Sequence, residues 1–83
     1  MYKLRISVKA EKEIKKIPHP HQKALILALA EIKEDPLVGK PLTRELTGRF
    51  TYRVGVYRII YIVNKKDKVI DILTTGHRAN IYI

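Results

Sequence analysis

The chain contains no cysteine, which excludes a disulfide framework, a thiolate nucleophile and a cysteine-built metal site. It has no long apolar run either. The longest, ALILALA at residues 24–30, falls well short of the ~20 residues that cross a bilayer. The opening MYKLRISVKAEKE lacks the apolar segment of a secretory signal. Repeats, low-complexity segments and linkers are missing as well. These absences lead to the expectation of a soluble, cytoplasmic, single domain over residues 1–83 that uses no metal or cofactor and does not engage membranes. Acidic residues are scarce: 8 Asp and Glu stand against 17 Lys and Arg, a net charge of +9. A field of that sign attracts polyanions: nucleic acid, an anionic membrane surface or an acidic protein.

What is present suits a thin core: 83 residues with 46% hydrophobic content. The positive charge is unevenly made. Lys9, Lys12, Lys15, Lys16, Lys23 and Lys33 alternate with acids, as on a solvated helix surface. Five of the six arginines (Arg44, Arg49, Arg53, Arg58 and Arg78) follow residue 40. Arginine's planar fork suits bidentate contact with phosphate or carboxylate, so any basic function belongs to the second half.

Residues 2–8 alternate as a strand. Ser7 is placed to cap a helix carrying Ala10, Ile14 and Ile17 at helical spacing. Pro18 and Pro20 end it and open a second helix over about 20–35, with Ala24, Leu25, Ala28, Leu29 and Ile32 on one face. Asp35-Pro36 stops that helix. LVGKP (37–41) reads as a loop, followed by strands over about 43–54, 57–63 and 69–75. The predicted fold is α+β, in the order β-α-α-β-β-β, with a helical hairpin packed on one face of a mostly antiparallel sheet.

The most informative stretch is TYRVGVYRIIY (51–61). Gly55-Val56 suits a two-residue type II′ turn, which takes glycine first. That register sets Val54 against Tyr57, Arg53 against Arg58 and Tyr52 against Ile59. The arginines then share one sheet face, and Tyr52, Val54, Tyr57, Ile59 and Tyr61 share the other, under the helices. Like charges directly opposed destabilise a sheet. Either each arginine pairs with an acid such as Glu45 or Asp71, or the two await an anion, with phosphate the natural guest.

The run FTYRVGVYRIIYIV, with GKPLTRELTG before it and TTGHRANIYI after it, resembles the RelE/ParE superfamily of toxins from toxin–antitoxin pairs. The closing GHR-x-x-IY pattern favours the RelE branch. The resemblance implies a ribosome-dependent endoribonuclease that cuts mRNA with the RNA's own 2′-OH as nucleophile, independently of metal. It also implies a neutralising, acidic RelB-like antitoxin, and operator DNA bound only indirectly through that antitoxin. On this basis Arg53, Arg58 and Arg78 hold the phosphate, because arginine stays protonated and is a poor base. His77 is a candidate proton mover, with the alternative of a residue on the helix-covered side or in a loop. Tyr82 either stacks on a base, orients the 2′-OH or tucks the C-terminus into the core. Lys40, Arg44 and Arg49 are candidate RNA-binding residues. Many RelE-type toxins carry a second basic residue two positions beyond the one matched by Arg53, where this chain has Gly55. The competing expectations are a ParE-like, non-enzymatic gyrase inhibitor and a basic RNA-binding domain without toxicity.

Overall fold

A computed structural model describes residues 2–43, 45 and 47–77. The chain runs β1 (Lys3–Ile6), α1 (Val8–Lys16), α2 (His19–Glu34), β2 (Lys40–Pro41), β3 (Arg49–Val54), β4 (Tyr57–Asn64) and β5 (Val69–His77). The strands form one sheet in the order β1-β5-β4-β3-β2. Only β1 and β5 pair in parallel; the remaining neighbours are antiparallel. The α+β architecture expected from the sequence is present, with one more strand than expected.

Helix α1 begins where Ser7 can cap it: the Ser7 Oγ accepts from the Ala10 amide at 3.0 Å, a contact worth about 1 kcal/mol. Its C-terminal carbonyls are met by Gln22 of the next helix, whose Nε2 donates to the Ile14 and Ile17 carbonyls, each at 2.9 Å. That bond sets the sharp corner at Pro18. In α2 the buried stripe is Leu25, Ala28, Leu29 and Ile32, the i, i+3, i+4, i+7 pattern of one helix face. Ala24 was expected to share this face. It sits about 40° of helix rotation beyond Ala28, past the edge of the stripe, and is exposed.

The core joins those residues to Ala10, Ile17, Ile59, Tyr61, Ile70 and Ile72 on the helix side of the sheet. Tyr52, Val54 and Tyr57 pack against it, as the hairpin alternation requires.

Two strand expectations need correction. The segment 43–54 is not one strand, because Gly48 turns with φ +96° and only Arg49–Val54 is extended. Conversely, the supposed loop 37–41 contributes the short edge strand Lys40–Pro41, which pairs with Thr51 and Phe50. A proline, lacking an N–H, is tolerated there because the position is an edge. Tyr61 holds this segment in place. Its fully buried hydroxyl donates to the Pro36 carbonyl at 2.8 Å and accepts from the Gly39 amide at 3.0 Å. A Cβ at Gly39 would lie 2.5 Å from that hydroxyl oxygen, so the close approach needs glycine.

Strand β5 runs past the end of β1, whose last partner is Ile72. There the register between β4 and β5 shifts by one residue, between Ile60 and Tyr61, leaving Leu73 as the bulged residue. Ser7 Oγ donates to the Leu73 carbonyl at 2.9 Å. The Glu13 carboxylate of α1 accepts from the Thr75 amide at 3.0 Å and from the Thr74 hydroxyl at 2.7 Å. The first helix thus serves as the edge cover for the last strand.

Candidate functional site

The β3–β4 hairpin has the anticipated register: Val54 opposes Tyr57, Arg53 opposes Arg58 and Tyr52 opposes Ile59. Gly55 has φ +61°, while Val56 does not enter the positive region, which selects the type II′ turn over type I′. With Tyr52, Val54 and Tyr57 committed to the core, Arg53 and Arg58 stand on the sheet face away from the helices. Directly opposed residues have Cβ atoms about 4.5–5.5 Å apart, so one small anion can touch both side chains. Arg53 is exposed and Arg58 half-buried, with its Nε shielded from solvent.

One of the two acids named as structural partners, Asp71, is engaged elsewhere. Asp71 accepts from Arg5 Nε at 2.6 Å and Nη2 at 3.3 Å, and this carboxylate raises the Arg5 pKa through hydrogen bonding and then charge. Arg5 therefore neutralises the carboxylate on this face.

Cross-strand pairing orders the open face into rows. One row is Arg53, Arg58 and Gly76; the next contains Lys40, Thr51 and Ile60; the third is Arg49, Ile62, Asp71 and Arg5. Thr51 and Ile60 are buried, so the centre of the middle row is uncharged, with Lys40 at its β2 edge and arginines in the rows on either side. Gly76 beside Arg58 was not singled out from the sequence. A Cβ there would meet nothing within 4 Å among the described residues, so their packing does not demand glycine, and no side chain of residue 76 occupies the space next to Arg58. A glycine inside a strand was the available signal, since it often marks close approach by a ligand.

His77 is not brought to the arginines. Strand β5 continues through it, and alternation carries it to the helix side opposite Tyr57. The Tyr57 ring lies between two imidazoles, 6.0 Å from His77 and 5.2 Å from His21, centroid to centroid. Of the candidate RNA contacts, Lys40 and Arg49 share the arginine face. Arg44, Arg78 and Tyr82 lie outside the described residues.

Residues 4–82 match the family model described as the ParE toxin of the type II toxin–antitoxin system parDE. The chain is 37% identical to Toxin RelG of Mycobacterium tuberculosis (strain ATCC 25618 / H37Rv) over 83 residues, covering 98% of this chain and 95% of that protein. This chain belongs to the RelE/ParE superfamily of type II toxins. Its fold superimposes on the toxin–antitoxin complex RelBE2 of M. tuberculosis with a TM-score of 0.85 at 35% identity, over 93% of this chain and 98% of that one. The archaeal RelE–RelB complex of Pyrococcus horikoshii OT3 gives a TM-score of 0.77 at 28% identity, over 95% and 97% of the two chains. Relatives of this RelE/ParE toxin have thus been solved together with RelB antitoxins.

Proposed function

We propose that this toxin is a RelE-like, ribosome-dependent mRNA endoribonuclease, held inactive by a cognate antitoxin. The observation that carries the reading is the Arg53–Arg58 pair on the open sheet face, beside the vacant side-chain position of Gly76 and with Asp71 occupied by Arg5. Two cations opposed on one open face can hold the non-bridging oxygens of a single phosphate together.

In the proposed reaction the 2′-oxygen of one nucleotide attacks the adjacent phosphorus. The new O–P bond forms as the bond to the 5′-oxygen breaks, giving a 2′,3′-cyclic phosphate and a 5′-hydroxyl end. The 2′-oxygen loses a proton and the departing 5′-oxygen gains one. Arg58 and Arg53 bind the non-bridging oxygens and stabilise the charge that builds up in the transition state. Arg78 is assigned to the same phosphate, and Tyr82 to orienting the 2′-OH. Holding the attacking oxygen in line supplies much of the remaining acceleration, a task the ribosome shares by positioning the message. The antitoxin is expected to offer an acidic segment that covers the arginine face or pairs with the edge strand β1.

The match to the ParE model favours one competing reading, a non-enzymatic toxin that binds DNA gyrase. Purified protein added to a cell-free translation reaction separates the two. Cuts within codons that appear only during translation support the ribonuclease. Intact message together with inhibited supercoiling replaces it with the gyrase reading.

A further inference from the structure

At the far end of the open face from Arg53 and Arg58 lies a groove of about 650 Å³, walled by Thr47, Gly48, Arg49, Lys65 and Asp71. We infer that this groove is a second phosphate subsite, which grips the backbone of the same RNA strand at a nucleotide distinct from the one held by the arginine pair. The inference rests on the ribonuclease reading above and extends it to how the substrate is tracked.

Arg49 and Arg53 stand four residues apart on β3 with the same facing, about 13 Å at the 3.2–3.4 Å rise of a strand. Arg49 lines the groove together with Lys65, on the side away from Arg53. The two cationic sites therefore suit separate phosphates. Between them lie the uncharged Thr51 and Ile60, with Lys40 at the sheet edge of the same row, so sugars and bases can pass without meeting a negative charge. Cations at both ends of one face, in line with the strands, fit a linear polyanion with regularly spaced charges.

The groove is also held in shape. Lys65 sits in the turn after β4, where Asn64 Nδ2 donates to Asp67 Oδ2 and the Asp67 amide donates to Asn64 Oδ1, both at 3.0 Å. Lys68 closes that turn with φ 54°. On the opposite wall, Arg5 neutralises Asp71, which weakens the repulsion that this carboxylate would offer a phosphate there.

The test is the salt dependence of binding to an oligouridine of about 12 nucleotides, within the site sizes of single-strand binders. Each phosphate contact contributes about 0.7 to the slope of log K against log salt. The variant Arg49→Gln/Lys65→Gln is expected to lower the slope by about 1.4 and to leave the slope for an oligonucleotide of about 3 nucleotides, too short to span both sites at ~13 Å, unchanged. Both side chains are exposed, and Lys65→Gln alone should give about half the change. An unchanged slope with the longer RNA overturns the inference. So does an unchanged RNA slope combined with lost binding of polyglutamate, which would assign the groove to an acidic protein segment. Translation-coupled cleavage by wild type and Arg58→Ala is read separately. Loss of the ribonuclease reading there leaves the slope measurement to decide whether the groove binds RNA.

Discussion

Arg53 and Arg58 are directly opposed across the β3–β4 hairpin, on the face that the helices leave uncovered. Truncating one removes a like-charge contact worth roughly 0.2–1 kcal/mol across a strand pair. It also removes a preorganised cation whose loss raises a barrier by about 2.7–4 kcal/mol. Arg58→Ala is therefore expected to melt at the same temperature or slightly higher, and to lose toxicity in a growth assay while still binding the antitoxin. Arg58→Lys should fold normally and remain clearly impaired, because lysine cannot make the bidentate contact. A drop of several kcal/mol in Arg58→Ala would make Arg58 a structural ion-pair residue.

Gly76 supplies a test in which stability and activity separate. Glycine within a strand costs roughly 0.5–1 kcal/mol relative to alanine, and no described residue would crowd a side chain there. Gly76→Val should be at least as stable as wild type in urea. It should cleave more slowly, by about 100-fold if the phosphate is displaced by ~1 Å. Wild-type cleavage rates in this variant would show that the space beside Arg58 is unused.

Tyr61 carries a stability prediction. Tyr61→Phe leaves the buried Gly39 amide without its acceptor, a loss of about 1–3 kcal/mol, measurable by urea unfolding. Its pH dependence has a definite sign. Burial, the largest cause, raises the Tyr61 pKa above its ordinary 10.0, so folding favours the neutral phenol. That contribution is complete below the unfolded pKa and disappears as pH rises through the folded one. Wild type should lose stability above about pH 10, and Tyr61→Phe should show a shallower alkaline decline. Equal declines would place the sensitive group elsewhere.

Glu13 should matter through its hydrogen bonds to Thr74 and Thr75. Bonds to charged groups contribute about 1.5–3 kcal/mol. Glu13→Ala is expected to destabilise by an amount in that range and to raise amide exchange at Thr75 first. Exchange unchanged at Thr75 would show that the last strand does not depend on this cover.

The hairpin was legible in the sequence because three signals agreed: glycine first in a two-residue turn, alternating aromatics, and charges in phase with one another. Ser7 and the Pro18/Pro20 break were legible for similar local reasons. The strand at Lys40–Pro41 was hidden, since Gly39 and Pro41 carry turn chemistry and the pairing depends on a hydroxyl 22 residues away. The side of the sheet taken by His77 turned on whether β5 continued through Gly76, which local propensity leaves open. Lys65 looked like any charge in a polar turn; only the fold sets it against Arg49.

The parallel seam between β1 and β5 joins residues 66 positions apart, Lys3 to Val69. The first strand made during synthesis must wait for nearly the last before it gains a partner. Contacts this distant in sequence are formed slowly, so the five-stranded sheet closes only after β5 has been made. A chain ending before Val69 should show no cooperative thermal transition. Maturation of this molecule is thereby tied to the synthesis of its fifth strand.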